Sequence, residues 1–284
     1  ISEGRSPPRL PPAIDEPRSM PMTINGIGTQ YYGRKNPRVY SGVCDSCQGN
    51  GTLTDYETGH YFVVVFIPVI PLGRKQIIAE CSSCRCHRDM PLRQWEQMRE
   101  ESLNSGLEQL GDSMDDPEKA IELLYNMTLF NQLDEAMELA GVTAKQHAQD
   151  FDTMVNIGSW YEQQNQPELA SNCFSAAINL NPEHPSSKRI QGVQAIEDAN
   201  PIAAAQHLES LRLAVASYDP SLFYMLAICY QDQSMHEKAI EEFKDIIQRT
   251  PDITKDKSFR KAVRISEKAA GSPTTILPKA GLFG

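Results

Sequence analysis

FDTMVNIGSWYEQQNQPELASNCFSAAINLNPEH, residues 151–184, has apolar and small residues at helical spacing on either side of a polar QNQP break. That is the pattern of two short amphipathic helices joined by a turn. The stretch also has a copy: Tyr161, Ala170, Phe174 and Pro182 recur 69 residues later as Tyr230, Ala239, Phe243 and Pro251. Sixty-nine is 34 plus 35, and Ala136 and Ala204 lie 34 residues before and after Ala170. Four units follow, at 117–150, 151–184, 185–219 and 220–253, and a repeat of this length predicts a stacked helical array.

The pattern resembles the tetratricopeptide (TPR) repeat. Ile157, Gly158, Tyr161, Ala170, Phe174, Ala177 and Pro182 fall on that family's telling positions, as do Phe223, Leu226, Ala227, Tyr230, Ala239, Phe243 and Pro251. The third unit keeps Gly192, Ala195, Ala204, Leu208 and Leu211, whereas the first keeps little beyond Leu124 and Ala136. The resemblance implies a solenoid whose first helices line a groove for a protein or peptide ligand. It places Val155, Ser159, Glu162, Arg189, Val193, Ile196, Tyr224, Ile228 and Gln231 there. Family members that clamp a C-terminal carboxylate carry Lys and Asn where this chain has Val155 and Ser159, or Tyr224 and Ile228, so that partner class is disfavoured.

One helical hairpin leaves an apolar face open, so an array needs covers at its ends. SFRKAVRISEKAAG within residues 254–271 is expected to cap the C-terminal end. Residues 91–116, with Trp95 buried at a junction, are expected to form a linking or capping helix. Residues 272–284 carry Pro and Gly and are expected to be a flexible tail.

Residues 23–90 have a different character. Five of the seven cysteines lie between 44 and 86, and Cys44–Cys47 and Cys81–Cys84 form two C-x-x-C pairs separated by 33 residues. Two thiolates three positions apart in a tight turn can grip one ion, and two such knuckles complete a tetrahedron. Zn2+ bound by Cys44, Cys47, Cys81 and Cys84 is therefore expected as a structural ion. Four thiolates close the shell and leave no position for a reacting water, so the site is a staple rather than a catalyst. Haem attachment fails because the residue three before Cys86 is Ser83. Cys86 is left as a spare thiol and His87 is expected at the surface.

Between the knuckles, TLTDYE, YFVVVFI and RKQIIAE read as three strands broken at ETGH and PVIPLG. GIGTQYYGRKN (26–36), the two knuckles and YFVVVFIPVIPLG (61–73) resemble bacterial zinc-ribbon proteins. That resemblance implies a ribbon fold and little about activity. The fold class expected for the chain is α+β, a small β zinc ribbon followed by an all-α solenoid.

The formal net charge of −10 is unevenly spread. Residues 34–93 hold eight Lys or Arg against five Asp or Glu, and residues 94–284 hold 16 against 29. The acidic part repels phosphate backbones, so a nucleic-acid role would fall to Arg34, Lys35, Arg38, Arg74, Lys75, Arg85 and Arg88 in the ribbon. A non-enzymatic protein-interaction scaffold is the leading expectation, because the sequence offers no coherent nucleophile, base or phosphate loop. The alternatives are a nucleic-acid-associated module and a membrane-surface adaptor. Nucleic acid is disfavoured as a partner. A membrane is too, because the apolar run YFVVVFIPVIPL is expected to pack against GIGTQYYG and is interrupted by Pro68 and Pro71. Residues 1–22 read as a disordered Pro-rich lead without a secretory pattern, and with reduced thiols this favours the cytoplasm.

Overall fold

The computed structural model describes residues 21–113, 115–214, 218–272 and 274–278. Residues 1–20, most of the expected Pro-rich lead, and 279–284 lie outside them. The chain is α+β and divides into two compact units, one ending at His147 and the other beginning at Ala148.

The first unit opens with an antiparallel meander of β1 (Thr23–Ile24), β2 (Ile27–Val43), β3 (Asn50–Val64), β4 (Ile67–Cys81) and β5 (Arg88–Pro91). The β1–β2 turn is Asn25–Gly26, both with positive φ, the sequence chemistry that a two-residue hairpin favours. The β3–β4 turn is Val65–Phe66, at φ of 50° and 62°. There a β-branched and an aromatic residue occupy left-handed backbone that such residues seldom adopt. The expected breaks at ETGH and PVIPLG do not occur, and both segments lie inside long strands. Pro68 and Pro71 are tolerated because β4 is the sheet edge there, since β5 pairs with it only from Lys75 to Ile78. The expected packing of the apolar run also fails in large part: Val63 is fully buried, but Val65, Phe66, Ile67, Val69, Ile70 and Leu72 are all exposed.

Helix α1 (Leu92–Asp112) follows β5 directly and lays Leu92, Trp95 and Leu103 against Ile78 and Met90 of the sheet and against Leu123 and Phe130. Trp95 is buried with its ring 4.9 Å from that of Phe130. The pair α2 (Pro117–Leu129) and α3 (Leu133–Gln146) completes this unit, tied to the sheet by the Arg38 guanidinium donating to the Thr128 carbonyl at 2.5 Å. The first repeat-like pair thus belongs to the same compact unit as the ribbon.

The second unit holds three further pairs. They are α4 (Phe151–Gln163) with α5 (Pro167–Leu180), α6 (Pro185–Glu197) with α7 (Pro201–Leu213), and α8 (Pro220–Asp232) with α9 (His236–Arg249). A 3-10 turn (Pro251–Lys255) and α10 (Lys257–Ala269) follow. The local rule that builds each pair recurs in all four. The first helix is capped by the side chain of Asp116, Asp150, His184 or Asp219, which accepts a backbone N–H of its first turn. It ends in a residue of positive φ at Asn131, Asn165, Ala199 or Ser234. The next N–H then reaches back to Met127, Tyr161, Ala195 or Tyr230 at 2.8–2.9 Å, satisfying an end carbonyl. Replacing Asp150 by Ala is expected to cost about 1 kcal/mol, read as a lower urea midpoint at unchanged slope.

Close approach within each pair comes from one small residue facing one large one. A Cβ on Gly158 would lie 2.6 Å from the Phe174 ring, and one on Gly192 would lie 2.3 Å from Leu208. The equivalent positions in the last pair are Ala227 and Phe243, both fully buried. In α2–α3 they are Leu124 and Ala140, also buried, with the large residue moved to the first helix. The tail departs from expectation over residues 274–278. Glu267 accepts from Thr275 Oγ1 (3.0 Å) and the Ile276 N–H (2.6 Å), and Leu277 is buried in the core of α8, α9 and α10.

Candidate functional site

The β2–β3 and β4–β5 connections are the two C-x-x-C segments, and they fold alike. Gln48 N–H donates to the Cys44 carbonyl at 2.8 Å, and Arg85 N–H to that of Cys81 at 2.9 Å. Cys44 N–H reaches the Gly49 carbonyl and Cys81 N–H the Cys86 carbonyl, each at 3.0 Å. The residue after the second cysteine has positive φ in both, 54° at Gln48 and 63° at Arg85. This tight turn aims both sulfurs of a pair to one side.

Pairing of β3 with β4 sets Leu53 opposite Cys81 and so brings the knuckles face to face. The sulfurs of Cys44, Cys47, Cys81 and Cys84 all lie within 4.8 Å of one another and could hold a metal ion. Cys44 to Cys84 is 3.6 Å and Cys47 to Cys81 is 3.9 Å. A zinc ion with ~2.3 Å bonds to four tetrahedral sulfurs would set them ~3.8 Å apart, whereas a disulfide would need ~2.05 Å. The donor set fits an ion held by four tetrahedral thiolates, with two of its sulfur pairs already close to that spacing.

Local electrostatics favour thiolates at two of the four. Backbone N–H groups of Cys84 and Ser83 hold the Cys81 thiol down at about 6, the Ser83 N–H lying 3.4 Å from its sulfur. Those of Cys47 and Ser46 lower Cys44 likewise. At Cys84 the Cys86 N–H pulls the same way, but burial and the neighbouring sulfurs push it up to about 12. Sulfurs crowded together resist further loss of protons, a repulsion that a dication relieves.

Cys86 occupies the place of Gly49 in the second knuckle and closes the turn with its carbonyl, and it is not one of the group of four. His87 is buried rather than at the surface. Its Nδ1 lies 3.1 Å from the Arg85 carbonyl, and its ring meets that of Tyr31 on β2 edge-on at 5.8 Å. The turn-forming role of Gln48 and Arg85 escaped the sequence reading, and its only signal there was position, directly after a C-x-x-C.

Five of the seven basic residues named in the ribbon pair with acids. Glu80 takes Arg34 (2.8 Å) and Arg85 (3.1 Å), Lys75 pairs with Asp89 (2.6 Å), Arg88 with Asp45 (2.6 Å), and Arg74 with Glu57. Arg38 is engaged with Thr128 and lies over the Tyr40 ring. A phosphate backbone would have to displace these partners, which weakens the nucleic-acid reading.

The expected groove residues divide. Val155 and Ile196 are half-buried and Glu162 is exposed, as a binding face requires. Ser159 and Val193 are buried instead, Ser159 because α4 is packed over most of its circumference and Val193 because it joins the core that α8 closes. Arg189 pairs with Asp219 at 2.7 Å, clamping α6 to the start of α8. Tyr224 lies 5.7 Å from the Phe259 ring, and Gln231 donates to the Ala262 carbonyl at 3.3 Å, so α10 covers this part of α8. Ile228 is half-buried on the same helix.

Residues 151–184 and 221–252, the pairs α4–α5 and α8–α9, each match a tetratricopeptide repeat family model. No curated protein matches the chain. Among solved structures it is similar to YrrB, described as a TPR protein with an unusual peptide-binding site, at 12% identity and a TM-score of 0.43. The match covers 59% of this chain and 93% of that one. A tetratricopeptide repeat protein from Parabacteroides merdae matches at 16% identity and a TM-score of 0.47, over 63% of this chain and 74% of its own. MamA protein matches at 16% and 0.41, over 57% and 98%. Among the described residues, no helix is long and apolar enough to cross a membrane.

Proposed function

We propose that the protein is a non-enzymatic adaptor: a ribbon stapled by structural zinc at Cys44, Cys47, Cys81 and Cys84, and a tetratricopeptide face that takes a protein or peptide partner. The observation that carries the reading is the pair of repeat matches on α4–α5 and α8–α9, whose first helices keep Val155, Glu162 and Ile228 at least partly open to solvent, as α6 between them keeps Ile196. Proteins of this repeat family generally act as scaffolds, and stacked first helices present side chains at a fixed spacing suited to an extended chain. Three of the four open residues are aliphatic, so the partner segment is expected to offer apolar side chains, with a basic group for Glu162.

The test places a photo-crosslinking amino acid at Glu162 in the full chain and identifies the polypeptides captured. Specific adducts are expected, and Val155→Asp should reduce them about tenfold or more through an unpaired charge against an apolar ligand, at unchanged melting temperature. Adducts insensitive to Val155→Asp would refute the groove, and a protein that crosslinks to nothing would refute the adaptor.

A further inference from the structure

The end of the sheet remote from the cysteines carries a surface that the adaptor reading does not use. Residues 21–33 and 58–73, which build that end, contain no Asp, Glu, Lys or Arg. Pairing sets Ile24, Ile27, Val64 and Ile67 side by side across four strands, so their side chains share one face. All four are exposed, Ile67 at 64% and Ile24 at 66%. Beyond this row the turn projects Val65 (67% exposed) and Phe66 (59%), and along the edge Val69 and Leu72 stand out where the register shifts. Face, tip and edge are thus apolar together, which describes a protruding finger rather than a groove, and a patch of this kind on a soluble surface marks an interaction site.

We infer that this finger inserts into one leaflet of a lipid bilayer. Four observations select lipid over a protein partner or a second copy. The first is order along the strands: the uncharged apolar end gives way to Tyr31, Tyr32 and Tyr61, and then to Arg34 and Lys35 on β2 and Arg74 and Lys75 on β4. Apolar, aromatic, basic is the sequence of environments met on leaving a membrane. The second is depth. Five strand steps separate Val64, the last paired residue of β3 before the turn, from Gly59 in the Gly59–Arg74 row, about 17 Å at strand rise, close to the ~15 Å of one leaflet's hydrocarbon.

The third is backbone satisfaction. Phe66 N–H donates to the Gly26 carbonyl at 3.2 Å, and the Phe66 carbonyl accepts from Tyr32 Oη at 2.5 Å. The exposed edge also has prolines at 68 and 71, which carry no N–H to strand in an apolar medium and which obstruct strand addition by another chain. The fourth is the turn itself. The neighbouring hairpin uses Asn25–Gly26, yet Val65 and Phe66 hold the same left-handed backbone against their own preference, and an outlier of that sort points to side chains kept for function.

The experiment is flotation of the full chain with phosphatidylcholine vesicles, with and without phosphatidylserine. The protein is expected to float with both. Added phosphatidylserine should strengthen binding only modestly, since Arg34, Arg74 and Lys75 are paired with acids. The variant Val65→Asn/Phe66→Gly supplies the preferred turn residues, so it should melt no lower than the parent while its bound fraction falls at least about tenfold. In Phe66→Trp, emission beyond that of the parent should shift to the blue and be quenched by bromolipids. A protein that stays unbound with both vesicles, or an Asn–Gly variant that floats equally well, overturns the inference. So does a dimer in sedimentation that depends on the tip and binds no vesicles, which would assign the surface to a second copy.

Discussion

Replacing Cys81 by serine is expected to abolish metal retention and to release the order of the ribbon's cysteine end, while the helices from Ala148 onward keep their cooperative unfolding. The apolar cluster beside the sulfurs is small: Leu53 is buried with Cys44 and Cys81, and Tyr40, Ala79 and Cys84 pack against them. So few side chains cannot hold a meander end against the entropy of its loops, whereas a structural zinc site contributes on the order of 10–16 kcal/mol. Elemental analysis should find one zinc per chain in the parent and less than about a tenth of that in Cys81→Ser. Hydrogen exchange over residues 44–53 and 77–88 should accelerate together. Cys86→Ser is the matched control and should leave both readings unchanged, because that residue closes its turn through a carbonyl. Stoichiometric zinc in the Cys81 variant, or a metal-free parent with full protection, would refute the staple.

The second large effect lies between α4 and α5. Phe174→Ala should cost about 3–5 kcal/mol by emptying a buried space, and Gly158→Leu should do comparable damage by forcing a branched side chain into the Phe174 ring. Made together, the two changes reproduce the arrangement already present as Leu124 and Ala140. The double variant is therefore expected to be more stable than the sum of the single losses by at least about 1 kcal/mol. Urea denaturation of all four proteins closes the cycle. Additive losses would mean that the two positions do not share one volume.

The same inversion accounts for what was and was not legible in the chain. The 34-residue period was plain at Tyr161, Ala170 and Phe174 because the family pattern writes small before large. In α2–α3 the large residue comes first, so the volume is conserved while the letters are not, and the pair looked degenerate. Knuckle spacing identified the four sulfurs, since a short turn leaves little freedom in where C-x-x-C can aim. Strand continuity through PVIPLG is not legible because proline ordinarily interrupts a strand pattern, whereas an edge strand loses little by lacking an N–H. The burial of Ser159, Val193 and His87, and the seat of Leu277, depend on neighbours distant in sequence, which no local pattern encodes.

The recurrence of one capped start and one left-handed turn at every 34 or 35 residues makes the helical part modular at the level of backbone torsion angles. The rule fixes the start of each pair and the turn inside it, so a chain with one pair more or fewer uses the same two local solutions, and the helical part can lengthen or shorten by duplication of whole pairs.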